Sequence, residues 1–167
     1  MVHSAKIRFI TALSDALVFL LLSGCATTYH SQGEEVDVGG GLFSHGLNFK
    51  VTGSYWTNDY NGTKPQQRFL VVKTSLTNAT NQPLAFQSPY SLEFALISAE
   101  GAQYAPVAKV GHFAQNENVN PGMTATGEVV FDVPDGKYTL RTFVHNALIG
   151  FYPKESDVHE ILLTPAK

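Results

Sequence analysis

Only one cysteine, Cys25, occurs in 167 residues. No disulfide within the chain can staple the fold, so its stability must come from a packed core. Charge is also sparse: 15% of residues are charged and no run of lysine or arginine exists. That excludes the basic clusters on which nucleic-acid binding and charge-driven adhesion to anionic lipid depend. No apolar run reaches the roughly 20 residues that a membrane-spanning helix needs. Motifs of catalysis are missing too. Gly39-Gly40-Gly41 near Ser44 and His45 lacks the Lys-Ser/Thr of a phosphate loop and the Gly-x-Ser-x-Gly of a nucleophile elbow. His45, His112, His145 and His159 have no metal-ligand spacing, and His159-Glu160 lacks the second histidine of a zinc-protease helix. No catalytic residue, metal or cofactor is therefore nominated.

What is present begins with 44% hydrophobic and 11% aromatic residues, ordinary globular material for one domain. The first 24 residues follow a separate plan. Lys6 and Arg8 give a positive start, Ala16 to Leu22 is an apolar segment, and the small residues Ser23 and Gly24 follow. These are the three parts of a secretory signal peptide over 1–24. Asp15 interrupts the longer apolar run from Phe9, and an acid at the centre of an inserting helix costs about 2.5 to 3.5 kcal/mol. The apolar core of the leader is accordingly short.

Leu22-Ser23-Gly24-Cys25, at the end of that segment, resembles the lipobox of bacterial lipoproteins. The resemblance implies a diacylglyceryl group on the Cys25 thiol and a membrane as the first partner. Each buried methylene contributes about 0.8 kcal/mol, so two or more acyl chains anchor stably. Ala26, rather than an aspartate, follows the cysteine, which by the same resemblance favours the outer membrane where a cell has two. Loss of residues 1–24 removes Lys6, Arg8 and Asp15, leaving 9 basic against 13 acidic residues and a net charge of −4.

Residues 25–46 are polar and glycine-rich, and they predict a flexible tether carrying the lipidated cysteine. From Leu47 to the end, over 47–167, the apolar period is two and turn residues recur every dozen or so positions. Leu47, Phe49 and Val51 start a strand that runs toward Trp56. Asn61-Gly62 suits a tight connection. Phe69 to Asn78 begins apolar on both faces and then alternates, as a central strand does. Leu92, Phe94 and Leu96 form the next strand, with Gln103-Tyr104 a short return. Residues 105–120 have no clear period. Val129, Phe131 and Val133 alternate with Glu128 and Asp132, Pro134-Asp135-Gly136 ends that strand, and Tyr138, Leu140 and Val144 lead to a last strand over 158–163. Seven or eight short antiparallel strands without an amphipathic helix predict an all-β fold of two packed sheets.

Phe69-Leu-Val-Val-Lys-Thr-Ser-Leu-Thr-Asn78, Asn81-Gln-Pro83, Phe94-Ala-Leu-Ile, Glu100-Gly101, Tyr104, Asn120-Pro-Gly122 and Gly127-Glu-Val-Val-Phe-Asp-Val-Pro134 resemble a bacterial domain-of-unknown-function family. Its members are secreted or lipid-anchored, and its immunoglobulin-like fold is grouped with the immunoprotective extracellular protein of mycobacteria. The resemblance covers 47 to about 143 and implies an immunoglobulin-like antiparallel β-sandwich outside the cytoplasm, with no shared catalytic residues. Tyr138, just after the Pro-Asp-Gly corner, stands where such sandwiches often bond a tyrosine hydroxyl back across the corner.

The chemistry-bearing cluster is Tyr55-Trp56 with Tyr60. Aromatic side chains on a loop of a rigid sandwich offer large contact area at small entropic cost, so these three are the candidate ligand-binding residues, with Phe151-Tyr152 a second pair of the same kind. The expected function is a non-enzymatic binding or interaction module in the cell envelope, meeting an envelope protein or an exposed ligand. An assembly subunit using an exposed edge strand is the alternative, and a hydrolase with a triad invisible in sequence is the third.

Overall fold

A computed structural model of the chain describes residues 29–38, 46–85, 90–111, 118–146 and 158–166. Among these, every regular element is a strand: β1 Tyr29–Ser31, β2 Glu35–Asp37, β3 Leu47–Thr57, β4 Arg68–Asn78, β5 Leu84–Ala85, β6 Tyr90–Ser98, β7 Gln103–Tyr104, β8 Ala108–Gly111, β9 Asn118–Val119, β10 Thr124–Val133, β11 Tyr138–Asn146 and β12 His159–Leu162. One sheet has the order β1-β12-β11-β6-β7 and the other β2-β3-β4-β10-β8, while β5 and β9 form a small ladder of their own. The two large sheets make the all-β, immunoglobulin-like sandwich that the sequence predicts. The count exceeds seven or eight because five of the strands are only two or three residues long, too short for any period to appear in sequence.

The alternation of apolar residues decides which face each strand buries. In β4, Leu70, Val72 and Leu76 point inward, and in the neighbouring strand β10 Val129, Phe131 and Val133 stand beside them on the same face; all six are buried. From the other sheet Leu92, Phe94, Leu96, Leu140 and Ile161 close the core. Phe49 and Phe94 meet across the sheets with ring centroids 5.9 Å apart. Each such side chain, fully buried, contributes about 1.5 to 3 kcal/mol, and this interleaving takes the place of a disulfide. A β-bulge between Val51 and Gly53 shifts the register of β3 against β4. Before it the odd residues Leu47, Phe49 and Val51 face the core; after it the even residues Ser54 and Trp56 do, paired with Val72 and Leu70. The extra residue reverses the side of everything that follows it.

The tether predicted over 25–46 is corrected from Tyr29 to Val38. There the chain first pairs in parallel with β12, Tyr29 opposite Glu160, and then turns through Gln32-Gly33 to pair antiparallel with β3. Val36 and Val38 are buried, so the sandwich starts near Tyr29, not at Leu47. The two valines alternate with Asp37 over too short a span to register between glycine-rich neighbours, and the partner of β1 lies near the far end of the chain. Asp37 also accepts hydrogen bonds from the Gly46 and Leu47 amides at 3.0 and 3.2 Å. At the other terminus, the Trp56 amide donates to the Ala166 carbonyl and the Ala166 amide to Ser54, so β2 and the C-terminal segment share one edge of β3.

Side-chain hydrogen bonds fix the turns. Asn78 is fully buried; its amide nitrogen donates to the Gln82 and Val119 carbonyls at 2.8 and 2.7 Å, and its oxygen accepts from the Thr80 amide and hydroxyl. Its backbone joins the next turn, donating to Met123 and accepting from Gly122. The Asn78 and Asn120-Pro-Gly122 motifs are thus one buried polar junction. The Tyr138 hydroxyl donates to the Pro134 carbonyl at 2.8 Å, which is the corner bond expected of it. Burial is the main reason its phenol is pushed above the ordinary range. Replacing Tyr138→Phe removes that bond with little change of packing and is expected to lower stability in urea by about 0.5 to 1.5 kcal/mol; an unchanged midpoint would show that the bond contributes nothing net.

Candidate functional site

Tyr55 and Tyr60 come together, and Trp56 does not join them. Because Tyr55 follows the bulge, it points to the outer face of the second sheet, beside Val71 of β4. The connection between β3 and β4 folds back over that face. Its tip is the two-residue turn Asn61-Gly62, with φ of 52° and 80° and reciprocal backbone bonds of 3.0 Å between Tyr60 and Thr63. Positive φ at both central positions is what a type I′ hairpin requires and what Asn-Gly supplies. Tyr60 then packs edge-on against Phe69, with centroids 6.4 Å apart. Tyr55, Tyr60 and Ala108 cover Phe69, Val71 and Val130, a second apolar cluster on the outside of the sandwich. The two-faced apolar start of β4 and the Val129-Val130 pair in β10 are the sequence signals of this cluster.

Polar contacts hold the hairpin in place. The Tyr60 hydroxyl donates to Glu128 at 2.7 Å. The Gln66 and Gln67 amides donate to the two Asp132 oxygens at 2.7 and 2.9 Å, the amide-capping role that fits an outward aspartate beside a turn. Within the tip, Asp59 accepts from the Gly62 amide at 2.9 Å and pairs with Lys64; the Lys64 bond and that amide hold its carboxyl below the usual range. Lys73 lies over the Tyr55 ring, 5.2 Å from its centroid. Asp132, beside the Pro134 turn, is read from sequence as a cap of backbone amides, and it takes that role here; Glu128 and Lys73 carry no sequence signal, and Glu128 reaches Tyr60 across 68 residues.

Trp56 turns inward at the same end of the sandwich. Its ring lies 6.2 Å from that of Tyr138, Tyr104 meets Tyr138 edge-on at 5.9 Å, and the Arg68 guanidinium stands 5.4 Å above the indole while pairing with Asp135 at 3.0 Å. Trp56 closes the core at this end. Cys25, His45, His112 and Phe151-Tyr152 lie outside the described residues, as does the His145 side chain. His159 is half-buried, with its ring 5.7 Å from that of His30, and no group of three or more potential metal ligands occurs among the described residues.

Desolvation first, and then the bond to Glu128, push the Tyr60 phenol far above its ordinary value. A phenol whose pKa is raised on folding contributes stability that is complete below the unfolded value, about pH 10, and is lost as pH climbs from there toward the folded value. Tyr60→Phe is therefore expected to make the fall in stability above about pH 10 shallower than in the wild type, as read by urea unfolding at stepped alkaline pH. Identical slopes would mean that Tyr60 is not held as described.

No curated protein matches the chain. Similar solved structures include two that match over more than four-fifths of this chain. One is an uncharacterized β-sandwich protein from Clostridium difficile 630, 11% identical with a TM-score of 0.52, the match covering 83% of this chain and 96% of that one. The other is the yjhA protein from Bacillus subtilis, 16% identical with a TM-score of 0.51, covering 81% and 99%. At such identities the likeness bears on the fold alone. Residues 33–152 match the family described as Domain of unknown function (DUF4352). That span takes in β2, which the tether assignment had left out, and with most of its length inside the match the chain belongs to this family.

Proposed function

We propose that this protein is a lipid-anchored, non-catalytic interaction module of the cell envelope, held at its membrane through Cys25 and engaging a partner with the outer face around Tyr55 and Tyr60. The observation that carries the proposal is the pinned hairpin. A connection of this length would ordinarily be mobile, yet Tyr60 bonds to Glu128 and two successive amides bond to Asp132. A surface ordered in advance loses less entropy on binding, and half-buried tyrosines beside a cation suit a protein partner or an exposed polar ligand. The anchor rests on Leu22-Ser-Gly-Cys25 behind the apolar segment, and Ala26 favours the outer membrane. The grouping with the mycobacterial immunoprotective extracellular protein belongs to the same proposal and supplies fold-level analogy only.

Two measurements test the two halves. Growth with a palmitate analogue should label the wild type and leave Cys25→Ala unlabelled; label persisting in the variant overturns the anchor. Purified protein lacking residues 1–25 should capture a partner from solubilised envelopes of the producing cell. Tyr55→Ala should weaken that capture at least about tenfold, equivalent to about 1.4 kcal/mol. Equal capture by both proteins would move the working surface elsewhere.

A further inference from the structure

The start of the sandwich so close to Cys25 fixes how the domain meets its membrane. Tyr29 is four residues after Cys25, at most about 14 Å of extended chain. A lipid on that cysteine would therefore hold β1 at the membrane surface, with no spacer long enough to lift it clear. β1 runs parallel to β12, and β12 runs toward the end of the sandwich where Leu162 stands opposite Thr139, next to Tyr138 and the Pro134 corner. Tyr29, the first residue of β1, consequently lies toward the opposite end. Ile161 of β12 faces the core, so Glu160 and Leu162, with their partners Tyr29 and Ser31, lie on the outer face of the first sheet.

That face has the right chemistry. Tyr29 and Leu162 are two of the five large apolar residues most exposed among those described, at 59% and 48%, and the register sets them diagonally beside each other. The acid opposite Tyr29, Glu160, is buried and neutralised by Arg141, whose Nε donates to it at 2.9 Å. A tyrosine with a leucine beside it suits the boundary between headgroups and acyl chains, where an amphipathic ring finds both surroundings.

We infer that Tyr29 and Leu162 rest in the headgroup layer of the membrane that holds Cys25, which turns the opposite sheet, with Tyr55 and Tyr60, toward the aqueous side. This rests on the lipid anchor proposed above and goes beyond it by assigning a membrane-facing surface. The test uses the full lipidated protein reconstituted in phosphatidylcholine vesicles with or without a headgroup spin-labelled lipid. The chain has one tryptophan, Trp56, so the wild type gives the baseline emission. Tyr29→Trp should add emission that the spin-labelled lipid quenches back toward the baseline. Lys64→Trp, in the hairpin at the far end, should add emission that it leaves in place. Vesicle flotation with the Tyr29→Trp emission unquenched, or with both variants quenched alike, would overturn the assignment while leaving the anchor standing. Failure of the wild type to float would overturn both.

Discussion

The face-to-face burial of Phe49, Leu70, Phe131, Leu96, Leu140 and Ile161 between the two sheets is the interaction on which everything else here depends. With no disulfide possible inside the chain, this core alone holds the sheets together, and it dictates which side chains are left for the outside. The bulge between Val51 and Gly53 shows how tightly the two are linked. By moving Trp56 into the core end, it turns Tyr55 to the outer face, where it can share a surface with Tyr60. The surface that Tyr55 and Tyr60 share is thus a consequence of one added residue in β3.

Much of the sandwich was legible in the sequence, since β3, β4, β6, β10, β11 and β12 carry apolar residues at a period of two and are bounded by Asn-Gly, Asn-Gln-Pro, Pro-Gly or Pro-Asp-Gly turns. What escaped were elements only two or three residues long, one of them with its partner at the far end of the chain. Tyr29 to Val38 pair at two edges, with β12 and with β3, and nothing local marks them as strands. The parallel pairing of β1 departs from a purely antiparallel sandwich for the same reason.

The candidate surface was legible only in part. Tyr55, Trp56 and Tyr60 stand out as aromatic residues near a turn, but their sides were hidden by the bulge, whose one sequence signal is Gly53 within an otherwise regular strand. Of the groups that fix the surface, Asp132 is legible as a cap of turn amides, while Glu128 is far away in sequence and looks like the ordinary polar face of β10. The apolar pairs Phe69 with Val71 and Val129 with Val130 were the better clue: a strand apolar on both faces must have something covering its outside.

The central claim is that the outer face of the β2-β3-β4-β10-β8 sheet, ordered by the hairpin, is where this domain meets its partner. Site-specific photo-crosslinking in intact cells tests it most directly, with a benzophenone side chain at Lys73, exposed beside Tyr55, and a control at Gln103, exposed on the other sheet. Discrete adducts from position 73 and none from position 103 are the predicted result. No adduct at 73, or the same adducts from both positions, would contradict the account.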